Sequence, residues 1–134
     1  MTHIFCLTHG DWGEALLRSV EQVIGPTKGV HCFPIGELDS SRDYEAALGE
    51  AVEALGGSDI VMVADFLGGS PYLAGARVCH RHRLPLITGL SMELMILLCT
   101  QPDLDCSPAG LQEIISRATG RTVLIDTYLF DTER

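Results

Sequence analysis

Two short stretches carry the residue types that could do chemistry. One is Ile4-Phe5-Cys6-Leu7-Thr8-His9-Gly10, an apolar run that closes on a histidine and a glycine. The helical pattern Asp11-Trp12-Gly13-Glu14-Ala15-Leu16-Leu17 follows it directly. The other is Asp65-Phe66-Leu67-Gly68-Gly69-Ser70-Pro71, which follows the apolar run 60–64. Both read as strand ends running into helix N-termini, where open α/β folds place reactive groups. A neutral imidazole holds a proton on one nitrogen and attacks with the other. A carboxylate accepting the ring N–H of His9 would fix that tautomer, which makes Asp65 the natural orienting partner. Gly10 lets backbone approach closely, and Gly68, Gly69 and Ser70 suit a phosphate cradle. Together these groups fit the handling of a phosphoryl group. The same residue types also fit plain turns: a capped histidine, an aspartate accepting amide bonds, and a sharp strand-to-helix corner.

Other chemistries are poorly served. The G-x-x-x-x-G-K-[ST] phosphate loop is missing, and Lys28 is the single lysine. Neither G-x-G-x-x-G nor the G-x-S-x-G nucleophile elbow occurs. His80 and His82 stand two apart in a helical pattern, so they do not share a face, and His31 and Cys32 are adjacent. Neither pair makes a metal site, and we expect no metal and no cofactor.

The elements that must position these groups follow from the rest of the chain. Its 134 residues suggest a single domain, 1–134, and 46% apolar residues with a mean hydropathy of +0.22 allow a real core. A net charge of −9 makes nucleic acid a poor partner. The five cysteines form no C-x-x-C pair, and their odd number argues against a disulfide framework. With no leader and no apolar run long enough to span a bilayer, the cytoplasm is the expected location.

Strands are predicted at 3–8, 30–35, 60–64 and 85–88, and helices at 11–24, 40–55, 70–82, 92–99 and 107–118. Asp11 and Glu14 have capping-box spacing, while Ser70-Pro71 and Ser107-Pro108 place serine at the cap and proline in the first turn. A last strand is predicted over 121–129. The pattern is α/β, an open and mainly parallel sheet covered by helices on both faces. The last strand is long and apolar for an edge, a hazard that pairing with a second subunit would remove. A homodimer is therefore expected. An ordinary edge strand in a monomer is the alternative.

Thr8-His9-Gly10, the stretch from Asp65 to Pro71 and Gly89-Leu90-Ser91-Met92 together resemble the IIA domain of the mannose family of the bacterial phosphoenolpyruvate:sugar phosphotransferase system. The resemblance covers nearly the whole chain in length and element order. It implies that His9 is transiently phosphorylated, on Nε2, by the phosphocarrier protein HPr and passes the group to a IIB component. It implies that Asp65 hydrogen-bonds the active histidine and that Ser70 lies near the phosphate. It further implies a fifth, antiparallel strand exchanged within a homodimer, which residues 121–130 fit. The family usually has a polar residue after the aspartate and an aromatic next, whereas Phe66-Leu67 stands here. No IIB domain lies in these residues, so IIB is expected as a separate chain or a domain removed from this one. Membrane contact would come only through the transporter complex. The rival readings are a phosphocarrier subunit serving dihydroxyacetone kinase, a regulatory or binding module of the same fold, and a small hydrolase using His9 and Asp65 on water. The sugar cannot be read from these residues.

Overall fold

Four apolar runs become four parallel strands because helices cover both faces of the sheet they build. The computed structural model describes residues 1–128. Its elements are β1 (Thr2–His9), α1 (Trp12–Ile24), β2 (Val30–Ile35), α2 (Ser41–Ala54), β3 (Asp59–Ala64), α3 (Gly69–His82), β4 (Leu86–Thr88), α4 (Met92–Cys99) and α5 (Pro108–Ala118). The strand order is β2-β1-β3-β4, with every pairing parallel. The chain steps from β1 to β2 on one side, then crosses back to β3 on the other. Right-handed crossovers then put α1 on one face and both α2 and α3 on the opposite face. This reversal leaves a crevice between the carboxyl ends of β1 and β3, the usual place for a ligand in such sheets.

Alternating side chains build the two cores. Ile4, Cys6, Val61, Val63 and Ile87 face α1, α4 and α5, packing with Val20, Leu94, Met95, Leu98, Leu111 and Ile114. Phe5, Leu7, Ile60, Met62 and Ala64 face α2 and α3, packing with Leu48, Val52 and Val78. Residues 61–64 are fully buried, which explains their unbroken apolar run.

Ser40, Ser91 and Ser107 cap their helices, each hydroxyl accepting an amide three residues on. Two predicted starts differ. Asp11 precedes α1 but its side chain makes no cap bond. The third long helix begins at Gly69, one residue before the predicted serine cap, with Gly68 at the cap position. Gly68 and Gly69 both hold positive φ, +104° and +78°, and complete the turn into the helix without a side-chain cap.

The strand predicted over 121–129 is not formed within its described part. Residues 121–126 are irregular and 127–128 form a short 3₁₀ turn, while residue 129 lies outside the described residues. Among the described residues, no strand at the sheet edge follows α5. Val123, Leu124 and Ile125 are exposed there, and among the described residues β4 pairs on one side only, with β3.

Candidate active site

His9 is the last residue of β1, and its side chain is 45% exposed. One hydrogen bond past each strand end fixes its surroundings. The Gly10 amide donates to the Ile35 carbonyl at 2.8 Å, and the Asp65 amide to the Leu7 carbonyl at 3.0 Å. Sheet pairing thus brings His9, at the end of β1, and Asp65, just past β3, side by side. Below them Thr8 is buried, and its hydroxyl donates to the Gly10 carbonyl at 2.7 Å. A Cβ at Gly13 would stand 2.9 Å from Thr8 Cγ2, so α1 lies against this threonine at a glycine.

The Asp65 carboxylate is almost fully covered and spends both oxygens on this turn. Oδ2 accepts the His9 backbone N–H at 2.8 Å and lies 2.8 Å from His9 Nδ1. Oδ1 accepts the Phe66 amide at 3.0 Å. Burial pushes the Asp65 pKa up, but the His9 backbone, His9 ring and Phe66 bonds outweigh it, and the net result lies below the ordinary 3.8. Asp65 is therefore ionised at neutral pH and can only accept. The proton on the shared edge must then sit on Nδ1, which leaves the Nε2 lone pair free in the neutral ring. Asp65 has the geometry of an orienting group.

Phe66 stacks on the imidazole, with centroids 5.2 Å apart and planes 24° from parallel. Gly69 lies against the far edge of the ring: a Cβ there would be 2.9 Å from His9 Cε1 and 3.0 Å from Nε2. A cavity of about 440 Å³ opens beside His9, lined by Gly10, Gly36, Asp39, Ser41 and Ser70 among others. The Ser41 hydroxyl donates to Ser70 Oγ at 3.2 Å, joining the start of α2 to the start of α3. No side chain caps the N-terminus of α3, so its first amides are available to an anion. Glu37 lines this cavity as well, and among the described residues no lysine or arginine does.

Of the residues singled out from the sequence, His9 and Asp65 are in direct contact, Gly69 touches the ring, and Gly10 and Ser70 line the cavity. Gly68 caps α3, with open space where a Cβ would stand. Thr8, Phe66 and the loop from Gly36 to Ser41 escaped sequence reasoning. The serine before the second long helix and the glycine after β2 were the available signals for that loop.

The remaining candidates lie elsewhere. His31 sits beside His3, with ring nitrogens 3.0 Å apart, and burial and this neighbour lower its pKa. His80 and His82 lie in the last turn of α3. Among the described residues, no three of His, Cys, Asp or Glu are placed to hold a metal. All five cysteines are free thiols. A larger cleft, about 540 Å³, is lined by Glu93, Ile96, Leu97, Arg117 and Arg121 and contains none of the groups described above. Among the described residues, no helix is long and apolar enough to cross a membrane.

The whole arrangement has close structural relatives. A mannose/sorbose-specific IIA subunit from Enterococcus faecalis superposes with a TM-score of 0.84 at 17% identity, covering 93% of this chain and 95% of that one. A phosphotransferase system EIIA component from Streptococcus agalactiae gives 0.81 at 18% identity, over 96% and 99% of the two chains. A IIA protein associated with the fucose utilization operon of Streptococcus pneumoniae gives 0.81 at 21% identity, over 96% of each. At these identities the likeness establishes the fold alone. No curated protein matches the chain significantly by sequence. The family model for EIIA-man, the PTS system fructose IIA component, matches residues 3–115, well over half of the chain. That span holds His9, Asp65 and all of the sheet but Thr2, and on it the protein belongs to the EIIA-man family of phosphotransferase system IIA components.

Proposed function

We propose that this protein accepts a phosphoryl group from phospho-HPr on His9 Nε2 and passes it to a IIB component for sugar uptake and phosphorylation. Family membership supports a IIA-type phosphocarrier role. The observation that carries the assignment to His9 is the 2.8 Å contact of Nδ1 with the ionised Asp65, which leaves Nε2 as the free nitrogen.

The Nε2 lone pair attacks phosphorus in line as the P–N bond to the donor imidazole breaks. The ring of His9 gains positive character, and the Asp65 carboxylate beside Nδ1 balances it while holding that proton in place. The equatorial oxygens meet the amides of Gly69 and Ser70 and the Ser70 hydroxyl at the start of α3. Donor and acceptor are both imidazoles, so charge changes little. Among the described residues no lysine or arginine lines the cavity, so none of them pins the phosphoryl group there, which suits a carrier that must release it. The acidic chain would also attract a partner bearing a basic patch.

On this reading residues 1–134 are one IIA domain, and it works in the cytoplasm as a homodimer. Exposed Val123, Leu124 and Ile125, together with the open side of β4, support exchange of the C-terminal segment between two subunits.

The test is intact mass after incubation with phosphoenolpyruvate, enzyme I and HPr, followed by addition of candidate IIB proteins. One acid-labile phosphoryl group, absent from His9→Ala and discharged to a IIB, is the expected result. Discharge only to a dihydroxyacetone kinase subunit, retention without discharge, or release of inorganic phosphate from small phosphoesters would replace this reading with one of its rivals.

A further inference from the structure

A hydrogen bond fixes an atom, not a plane. The bond from Nδ1 to Asp65 holds one edge of the His9 ring, and coupled changes of its two side-chain torsions can still tilt the ring about that contact, the outer torsion being broad for an sp³–sp² bond. Rocking would swing Nε2 away from the cavity. Phe66 closes that freedom. Its ring lies 5.2 Å from the imidazole centroid at 24°. Its own backbone is tied to the same carboxylate, through the 3.0 Å bond of its amide to Oδ1. Its far end reaches Gly69: Phe66 Cζ would be 3.5 Å from a Cβ there. Asp65 thus anchors both rings, one through each oxygen, and the imidazole is held at its Nδ1 edge, on one face and at its Cε1–Nε2 edge. Phe66 is 53% exposed, so its outer face is free while its inner face covers the imidazole.

We propose that Phe66 is a positioning residue for phosphoryl transfer, holding the plane of His9 so that Nε2 stays aimed into the cavity. The proposal rests on His9 being the phosphorylated residue, but its test does not depend on HPr. The small donor phosphoramidate can be used instead: Nε2 attacks phosphorus, the donor P–N bond breaks and ammonia leaves with its own protons. An aromatic pair of this geometry corresponds to roughly a two- to tenfold effect on a rate.

Labelling by phosphoramidate should slow by about that factor in Phe66→Ala and in Phe66→Leu, which keeps apolar bulk without a flat face. Phe66→Tyr, which stacks, should restore the parental rate. In NMR relaxation the order of the His9 ring C–H bonds should fall in Phe66→Ala, while the Nδ1–H tautomer set by Asp65 persists. Parental labelling in Phe66→Ala overturns the proposal. So does slowed labelling with unchanged order of the His9 ring, because Phe66 would then act on something other than the ring. Failure of the parent to label with phosphoramidate also overturns it, since Nε2 would not be poised. A parent that labels with phosphoramidate, shows the Phe66 effect and refuses phospho-HPr supports the positioning role and removes only the assigned donor.

Discussion

Replacing Gly69 by alanine should disable His9 without unfolding the protein, and Gly68→Ala is its internal control. Both glycines hold positive φ, +78° at Gly69 and +104° at Gly68, so alanine strains the backbone at either. The left-handed conformation costs a Cβ-bearing residue roughly 1–2 kcal/mol. The more extended conformation at Gly68 costs roughly 1–3 kcal/mol. The surroundings differ sharply. A Cβ at Gly68 meets nothing within 4 Å, whereas one at Gly69 stands 2.9 Å from His9 Cε1 and 3.0 Å from Nε2. Carbon atoms do not approach that closely, and the imidazole is the movable partner. It must tilt away, which breaks its contact with Asp65 and its stack on Phe66. Urea unfolding should therefore show losses of roughly 1–3 kcal/mol for both variants. Labelling from phospho-HPr should fall at least tenfold, about 1.4 kcal/mol in the barrier, in Gly69→Ala only. Equal labelling rates in the two folded variants would refute the argument that Gly69 makes room for the reactive ring.

Three further outcomes follow from the same geometry. Asp65→Asn should label slowly and should change the acid limb of stability. Asp65 is held below its ordinary 3.8 by its hydrogen bonds, so its contribution is complete above that value and is lost as pH falls through the lower folded value. The stability gap between parent and Asp65→Asn in urea midpoints should therefore widen from strongly acid pH to about pH 5 and then stay level; a gap independent of pH would contradict it. Thr8→Val keeps shape but removes the 2.7 Å bond to the Gly10 carbonyl, and should cost about 1 kcal/mol in urea unfolding and loosen the turn below His9, seen as faster amide exchange at Gly10. Gly75→Ala would set a Cβ 2.5 Å from Leu7 Cδ1 in the α2–α3 core; it should destabilise by roughly 1–3 kcal/mol, with labelling per folded molecule unchanged.

How far the residues themselves revealed this protein depended on whether a contact was local. The run at 60–64 reads as a doubly covered strand because both its faces are buried, and it is one. Ser107 reads as a cap because a cap is a bond three residues long. Ser70 reads as a cap by the same logic, but two glycines at positive φ complete the turn earlier and turn its hydroxyl toward Ser41. The segment after α5 reads as a strand from its apolar side chains, yet a strand needs a neighbour, and none pairs with residues 121–128 in this chain. His9 and Asp65 were legible because strand ends in a parallel sheet converge. Phe66, Thr8 and Gly13 were not, because their roles are contacts: one ring over another, a hydroxyl under a turn, and a helix against a methyl group.

The central claim is that His9 Nε2 carries the phosphoryl group. It is tested most directly by ³¹P–¹⁵N correlation on protein phosphorylated through enzyme I and HPr, with His9→Ala alongside. One phosphorus coupled to Nε2 of a single histidine, lost in the variant, is the expected result. Coupling to Nδ1, or a phosphohistidine that survives removal of His9, would contradict it.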